Sequence, residues 1–268
     1  VTTAPAAPVA VARTTANPCP RVEVTITPAG DNATITLWRT DPTGSSIVRG
    51  GDRVPVSGPV LVVDYEAPFG VAVTYAAIGY SAAGEASPSS PSSAPVTLAV
   101  TGCPWVQDPT DPGTAMVWQL AEWPQRTHGR DDETLWPVTS DVAVVLTGPR
   151  RQPTSTMTVL TRAAAQAAAL LLLTDLPVIL VRTDAAWRWR GGYFATGEVV
   201  ENPHVVGVPT DQDRFWQVPL TPVAPAPAGG VVAYNSWADV VDLYPTWAAV
   251  VATKPSWLEL VRNPDPGG

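Results

Sequence analysis

The sequence predicts a mainly β protein: two β units in series, followed by a tail of short helices. Three observations lead there. Apolar and polar residues alternate with period two across residues 21–101, and strand-like runs return between 104 and 223. Proline numbers 30 of 268 residues, more than double the usual share of roughly 5%, and proline is hard to place inside helices. Only one stretch of the second unit, "RAAAQAAALLLL", carries strong helix propensity. The length suffices for two separate cores.

Residues 1–20 are rich in Pro, Ala and Thr without a periodic pattern, so an extended arm ordered by a partner is expected. Residues 21–103 read as a β-sandwich. In "RVEVTIT" Val22, Val24 and Ile26 share one face, and in "NATITLWRT" Ile35 and Leu37 oppose Thr34 and Thr36. "DPTG" (41–44) is a turn. "GPVLVVDY", "VAVTYAAIGY" and "APVTLAV" supply further strands.

Residues 104–223 read as a second sandwich or barrel with one helix at about 161–174, which Thr161 would cap. Its strands are expected in "AMVWQLAEW", "DVAVVLTG", "TSTMTVLTR", "PVILVRT", "GYFATGEVV" and "RFWQVPLTPV". Residues 224–234 form a linker.

Residues 235–262 carry Trp237, Trp247 and Trp257 at ten-residue spacing, each after a hydroxyl residue (Ser236, Thr246, Ser256). Asp239 and Glu259 lie three beyond the first and last of these, which completes a capping box twice. Pro245 and Pro255 end each piece before the next begins. The reading is three short helical starts that form a docking segment. The tryptophans serve packing, docking onto a neighbouring subunit, or stacking on sugar rings. "WRWRGGY" (187–193) poses a similar choice. As a strand it would put Trp187 and Trp189 on one face and Arg188 and Arg190 on the other, serving a core or an interface.

Chemistry-bearing patterns are scarce. His128 lies in the charged loop "RTHGRDDE" and His204 beside a turn, and neither has the company a general base needs. No nucleophile elbow, P-loop or zinc-protease motif occurs. Asp131, Asp132 and Glu133 are adjacent and read as a solvated turn, and "DPTDPGT" and "TDQDR" read as turns rather than metal loops. No catalysis, cofactor or metal is therefore expected. A net charge of −8 argues against nucleic acid. The most apolar run, Ala163–Leu173, is too short for a bilayer and contains Gln166. The opening "VTTAPAAPVAVARTT" lacks a secretory pattern, so synthesis in a cytoplasm is expected. Cys19 and Cys103 bracket the first unit and either pair or stay reduced.

"ATITLWRTDPTG", with a tryptophan before a Pro-Gly turn, and "YAAIGYSAAGEASPSS" resemble strands of fibronectin type III domains. The resemblance implies a core role for Trp38. It departs at the corner tyrosine, whose expected position holds Val73, while Tyr75 lies nine before Gly84. The order "VVLTGPRRQPTSTMTVLTRAAAQAAALLLL", "PVILVRT", "YFATGEVV…RFWQVPLTPVAPAP" and "SWADVVDLYPTW" resembles minor tail proteins of long-tailed (siphovirus-type) actinobacteriophages. That likeness implies a virion protein, a structural subunit at the distal tail tip or baseplate. It would self-associate as a ring of six or a cluster of three. Its other partners would be tail tube, tape measure, tail-tip hub or fibre proteins, and the host cell wall. A host-surface glycan-binding module is the alternative reading. A secreted surface protein and a cell-wall hydrolase stand behind it.

Overall fold

A computed structural model describes residues 2–15, 18–102, 104–135, 144–187, 189, 191–205 and 212–225. The protein is mainly β, and among the described residues its strand ladders run antiparallel. The first unit holds β1 (Val9–Arg13), β2 (Arg21–Ile26), β3 (Thr34–Asp41), β4 (Gly44–Ile47), β5 (Val54–Pro55), β6 (Val60–Asp64), β7 (Ala72–Tyr80), β8 (Ala86–Ser89) and β9 (Val96–Thr97). One sheet has the order β1-β2-β6 and the other β4-β3-β7-β8, with β5 on β3 and β9 on β7. The alternating inward residues Val22, Val24, Ile26, Ile35, Leu37, Val62, Val73 and Ala77 close one core between them.

The second unit holds β10 (Trp105–Gln107), β11 (Met116–Val117), β12 (Gln119–Leu120), β13 (Gln125–Thr127), β14 (Arg130–Leu135), β15 (Val144–Arg150), β16 (Thr154–Thr161), α1 (Ala164–Thr174), β17 (Ile179–Arg182), β18 (Gly192–Thr196), β19 (Val200–Pro203) and β20 (Arg214–Pro222). Its nine-stranded sheet runs β11-β10-β17-β18-β20-β16-β12. The two end strands, β11 and β12, are halves of one short segment, Met116–Leu120. That segment stitches both edges and leaves the sheet nearly closed, as a barrel is. Trp118 at the stitch is fully buried, and its backbone N–H donates to the Pro104 carbonyl at 2.9 Å. The core joins Trp118 to Met157, Val159, Ile179, Val181, Trp216, Val218 and Leu220, and Leu170 and Leu173 of α1 cover it.

Several expectations need correction. Val9–Arg13, inside the anticipated arm, pairs along β2 from Val9↔Thr25 to Arg13↔Arg21, so its order comes from its own sheet. Trp38 is only half-buried, because strand alternation puts it opposite Ile35 and Leu37. The helix begins at Ala164 after Ala163, with no side-chain cap. Thr161 ends β16 instead, where its hydroxyl accepts the Trp216 indole N–H at 2.8 Å. Gln166 does reach back, accepting the Arg162 N–H at 2.9 Å. The "RDDE" stretch is strand rather than turn: β14 pairs with β15, and this hairpin joins no other sheet among the described residues.

Leu37→Ala should cost about 2–5 kcal/mol of stability, read from a shifted urea midpoint. Leu172→Ala, at an exposed position of α1, should stay within about 0.5 kcal/mol.

Candidate functional site: the seam between the two units

Strand alternation aims three polar side chains inward at one end of the first core. Arg39 continues the Ile35–Leu37 face of β3, Asp64 continues Val62 on β6, and Tyr75 sits between Val73 and Ala77 on β7. Arg39 Nη1 donates to both Asp64 oxygens at 3.1 and 3.0 Å, and the Tyr75 hydroxyl donates to Oδ2 at 2.9 Å. Burial opposes the charge on Arg39, but Asp64 outweighs it and lifts the guanidinium pKa above its ordinary value. Burial, then Asp64, pushes the Tyr75 phenol up, so it remains a donor.

A second set crosses the seam. Glu66 accepts Arg49 Nε at 2.6 Å and the Tyr193 hydroxyl of β18 at 2.6 Å. Burial and the Glu66 charge raise the Tyr193 phenol as well. Gln107 of β10 donates to the Tyr65 carbonyl at 3.2 Å.

The deepest crossing is Arg182, the last residue of the fully buried strand β17 and only 3% exposed. Its Nη1 donates to the Pro20 carbonyl at 2.8 Å, with the Ala67 carbonyl at 3.4 Å, and its Nη2 donates to Gln107 Oε1 at 2.8 Å. Its guanidinium carbon lies 4.5 Å from the centroid of the Phe69 ring. Burial holds its pKa below the ordinary arginine value. The neighbouring Cys19 is a buried thiol whose pKa burial raises against the pull of Arg182. Gly70 lets the chains meet: it adopts φ +64°, and a Cβ there would lie 2.7 Å from that of Ala185.

The seam also encloses a cleft of about 230 Å³ lined by Arg39, Asp41, Glu66, Phe69, Asp184 and Tyr193 among others.

Of the sequence-predicted site residues, Trp187 and Trp189 do not share a strand face. Both lie in the connection between β17 and β18. Trp189 enters the second core with its ring centroid 5.5 Å from that of Phe194, whereas Trp187 is only partly buried at the edge of that core and packs at 5.0 Å against Trp123, which is 73% exposed. Thr183 pins this connection, donating to the Trp189 carbonyl at 2.9 Å and accepting the Gly191 N–H at 3.0 Å. Arg188, Arg190, Trp237, Trp247, Trp257 and Cys103 lie outside the described residues.

Sequence reasoning missed the seam residues. The available signal was the polar intrusion at inward positions 39, 64 and 75. Apolar side chains are also left outward on the β1-β2-β6 sheet. Val9 (63% exposed) and Leu61 (61%) both align with Thr25, and Val11 lies two residues along β1.

Asp108 and Asp111 spend carboxylate oxygens on nearby backbone N–H groups, as turn residues do. Among the described residues no helix is long and apolar enough to cross a membrane. Compared with known protein families and with curated proteins, the chain matches none.

Arg182→Met should lower stability by about 1.5–3 kcal/mol, because charged hydrogen bonds are lost and buried carbonyls are left without donors. Equilibrium denaturation measures it. The raised phenols of Tyr75 and Tyr193 favour the protonated form in the fold. Their contribution is complete below about pH 10, the unperturbed tyrosine value, and is lost as pH rises beyond it. Tyr193→Phe should make the alkaline fall of stability shallower, read from melts between pH 8 and 11.

Proposed function

We propose that this protein is a structural subunit of a bacteriophage tail, at the distal tip or baseplate. Its action is assembly with copies of itself and with other tail proteins, and its first unit is a fibronectin type III-like sandwich. The observation that carries the reading is the surface left uncovered on an otherwise consolidated body. Val9, Val11 and Leu61 stand outward on one sheet, and Trp123 stands clear beside Trp187. Aromatic and aliphatic groups of this kind gain when a neighbour covers them. The β14–β15 ribbon, which joins no other sheet among the described residues, points the same way, since a two-stranded ribbon alone is marginal in water and gains stability against a partner. The order of strand, helix, strand, strand and Trp-rich tail supports the same reading. So does the polar content of the seam, where carboxylates and guanidinium groups mostly serve one another.

A second reading rests on the Trp123–Trp187 pair: a host-surface glycan-binding module that stacks sugar rings on the exposed Trp123 indole, backed by half-buried Trp187. The two readings separate experimentally.

Light scattering on the purified full chain should give a mass three or six times that of one copy. Trp123→Ala and Leu61→Asp should shift it toward single copies without lowering the melting temperature of the body. A single-copy mass at every accessible concentration, together with indole quenching by cell-wall polysaccharide, would replace assembly by adhesion.

A further inference from the structure

We propose that the cleft at the seam binds one neutral sugar ring. This inference does not rest on the tail reading and concerns a site apart from the surface tryptophans. Four properties lead to it.

The first is size. About 230 Å³ is small beside the roughly 300–1,000 Å³ of sites for drug-sized ligands. That suits a single pyranose and not a folded peptide segment.

The second is charge. Among the described residues five charged side chains line the cleft: Arg39, Arg182, Asp41, Glu66 and Asp184. Arg39 is matched by Asp64, and Glu66 by Arg49. Among the described residues that leaves Arg182 against Asp184 and against Asp41, which also lies in ion-pair range of Arg39, a balance of one negative charge. Such a site has no strong demand for an anion and only a weak one for a cation.

The third is hydrogen-bonding capacity. Asp41 Oδ1 accepts the Thr43 backbone N–H and hydroxyl, and Asp184 Oδ1 accepts the Ala186 N–H at 3.0 Å. The Oδ2 of each accepts no hydrogen bond among the described residues, with Arg39 Nε 3.9 Å from that of Asp41. A carboxylate only accepts, so the ligand must bring O–H or N–H donors. Neighbouring hydroxyls on a ring provide them, and hydrogen bonds to an ionised acceptor are the stronger kind.

The fourth is the apolar lining. Pro68, Val71 and Ala185 offer carbon surface for the C–H face of the ring. Mostly apolar walls with a few fixed polar groups are the usual make-up of a small-molecule site. Both walls are held by the Arg182 and Tyr193–Glu66 contacts, so little ordering cost attends binding.

The test is saturation-transfer NMR on the full chain with glucose, galactose, arabinose and N-acetylglucosamine. L-Arginine and inorganic phosphate serve as charged probes. At least one sugar should bind with a dissociation constant on the order of 1 mM, as expected for so few atoms. Asp41→Asn and Asp184→Asn keep the turn-capping oxygen and turn the open acceptor into a donor. Each should weaken sugar binding at least about fivefold, near 1 kcal/mol at 1.4 kcal/mol per tenfold. Asp175→Asn, at the exposed end of α1, should leave it unchanged.

The proposal is overturned if no sugar binds, if only arginine or phosphate binds, or if Trp123→Ala abolishes sugar binding while the two cleft variants do not. Those outcomes leave the measured mass of the assembly, and with it the tail reading, untouched.

Discussion

One buried guanidinium constrains the rest of this structure. Arg182 ends a strand of the second unit and gives its Nη donors to the Pro20 carbonyl of the first unit and to Gln107, while its guanidinium carbon lies over the Phe69 ring. Removing such a group from water is costly and is tolerated only where acceptors are placed for it. The acceptors come from both units, so its Nη donors find partners only when the two are docked, while its buried Nε has none among the described residues. Docking then sets the remaining geometry: Tyr193 reaches Glu66, Gln107 reaches Tyr65, and Gly70 meets Ala185.

A rigid body suits a building block. A subunit of the proposed kind would need to hold its halves in one orientation, and polar pairs at a seam fix orientation more sharply than apolar contact does. The polar groups face inward and the uncovered apolar ones outward. This division is what the assembly proposal uses: ionic groups meet at the seam, and Val9, Leu61 and Trp123 stay exposed, where a proposed neighbour would cover them. The sugar-sized cleft lies on the same seam because two convex units that meet leave concave space beside the contact.

Much of the fold was legible in local pattern. The alternations at 21–26 and 154–161 and the apolar run at 179–182 each fall on strands with the anticipated faces inward. Elements set by distant partners were less legible. Val9–Arg13 has a strand's composition between prolines, but only the adjacent β2 makes it one. Met116–Leu120 reads as one strand, yet it is two bridges turned about Trp118 because both sheet edges compete for it. Thr161 resembles a cap, but the Trp216 indole claims its hydroxyl. "WRWR" alternates as a strand would, but Thr183 folds the connection back on itself, so Trp189 enters the core and Trp187 stays at its edge. The seam was hidden for the same reason. Arg39, Asp64 and Tyr75 are separated by many residues, and nothing local announces that Arg182 will meet Pro20.

The most direct test of a single docked body is scanning calorimetry of the full chain. If the shared guanidinium couples the units, both cores melt together, and the calorimetric enthalpy of that transition equals its van't Hoff enthalpy. Two separated transitions, each with the enthalpy of about half the chain, would show that the units stand independently and that the seam does not govern the structure.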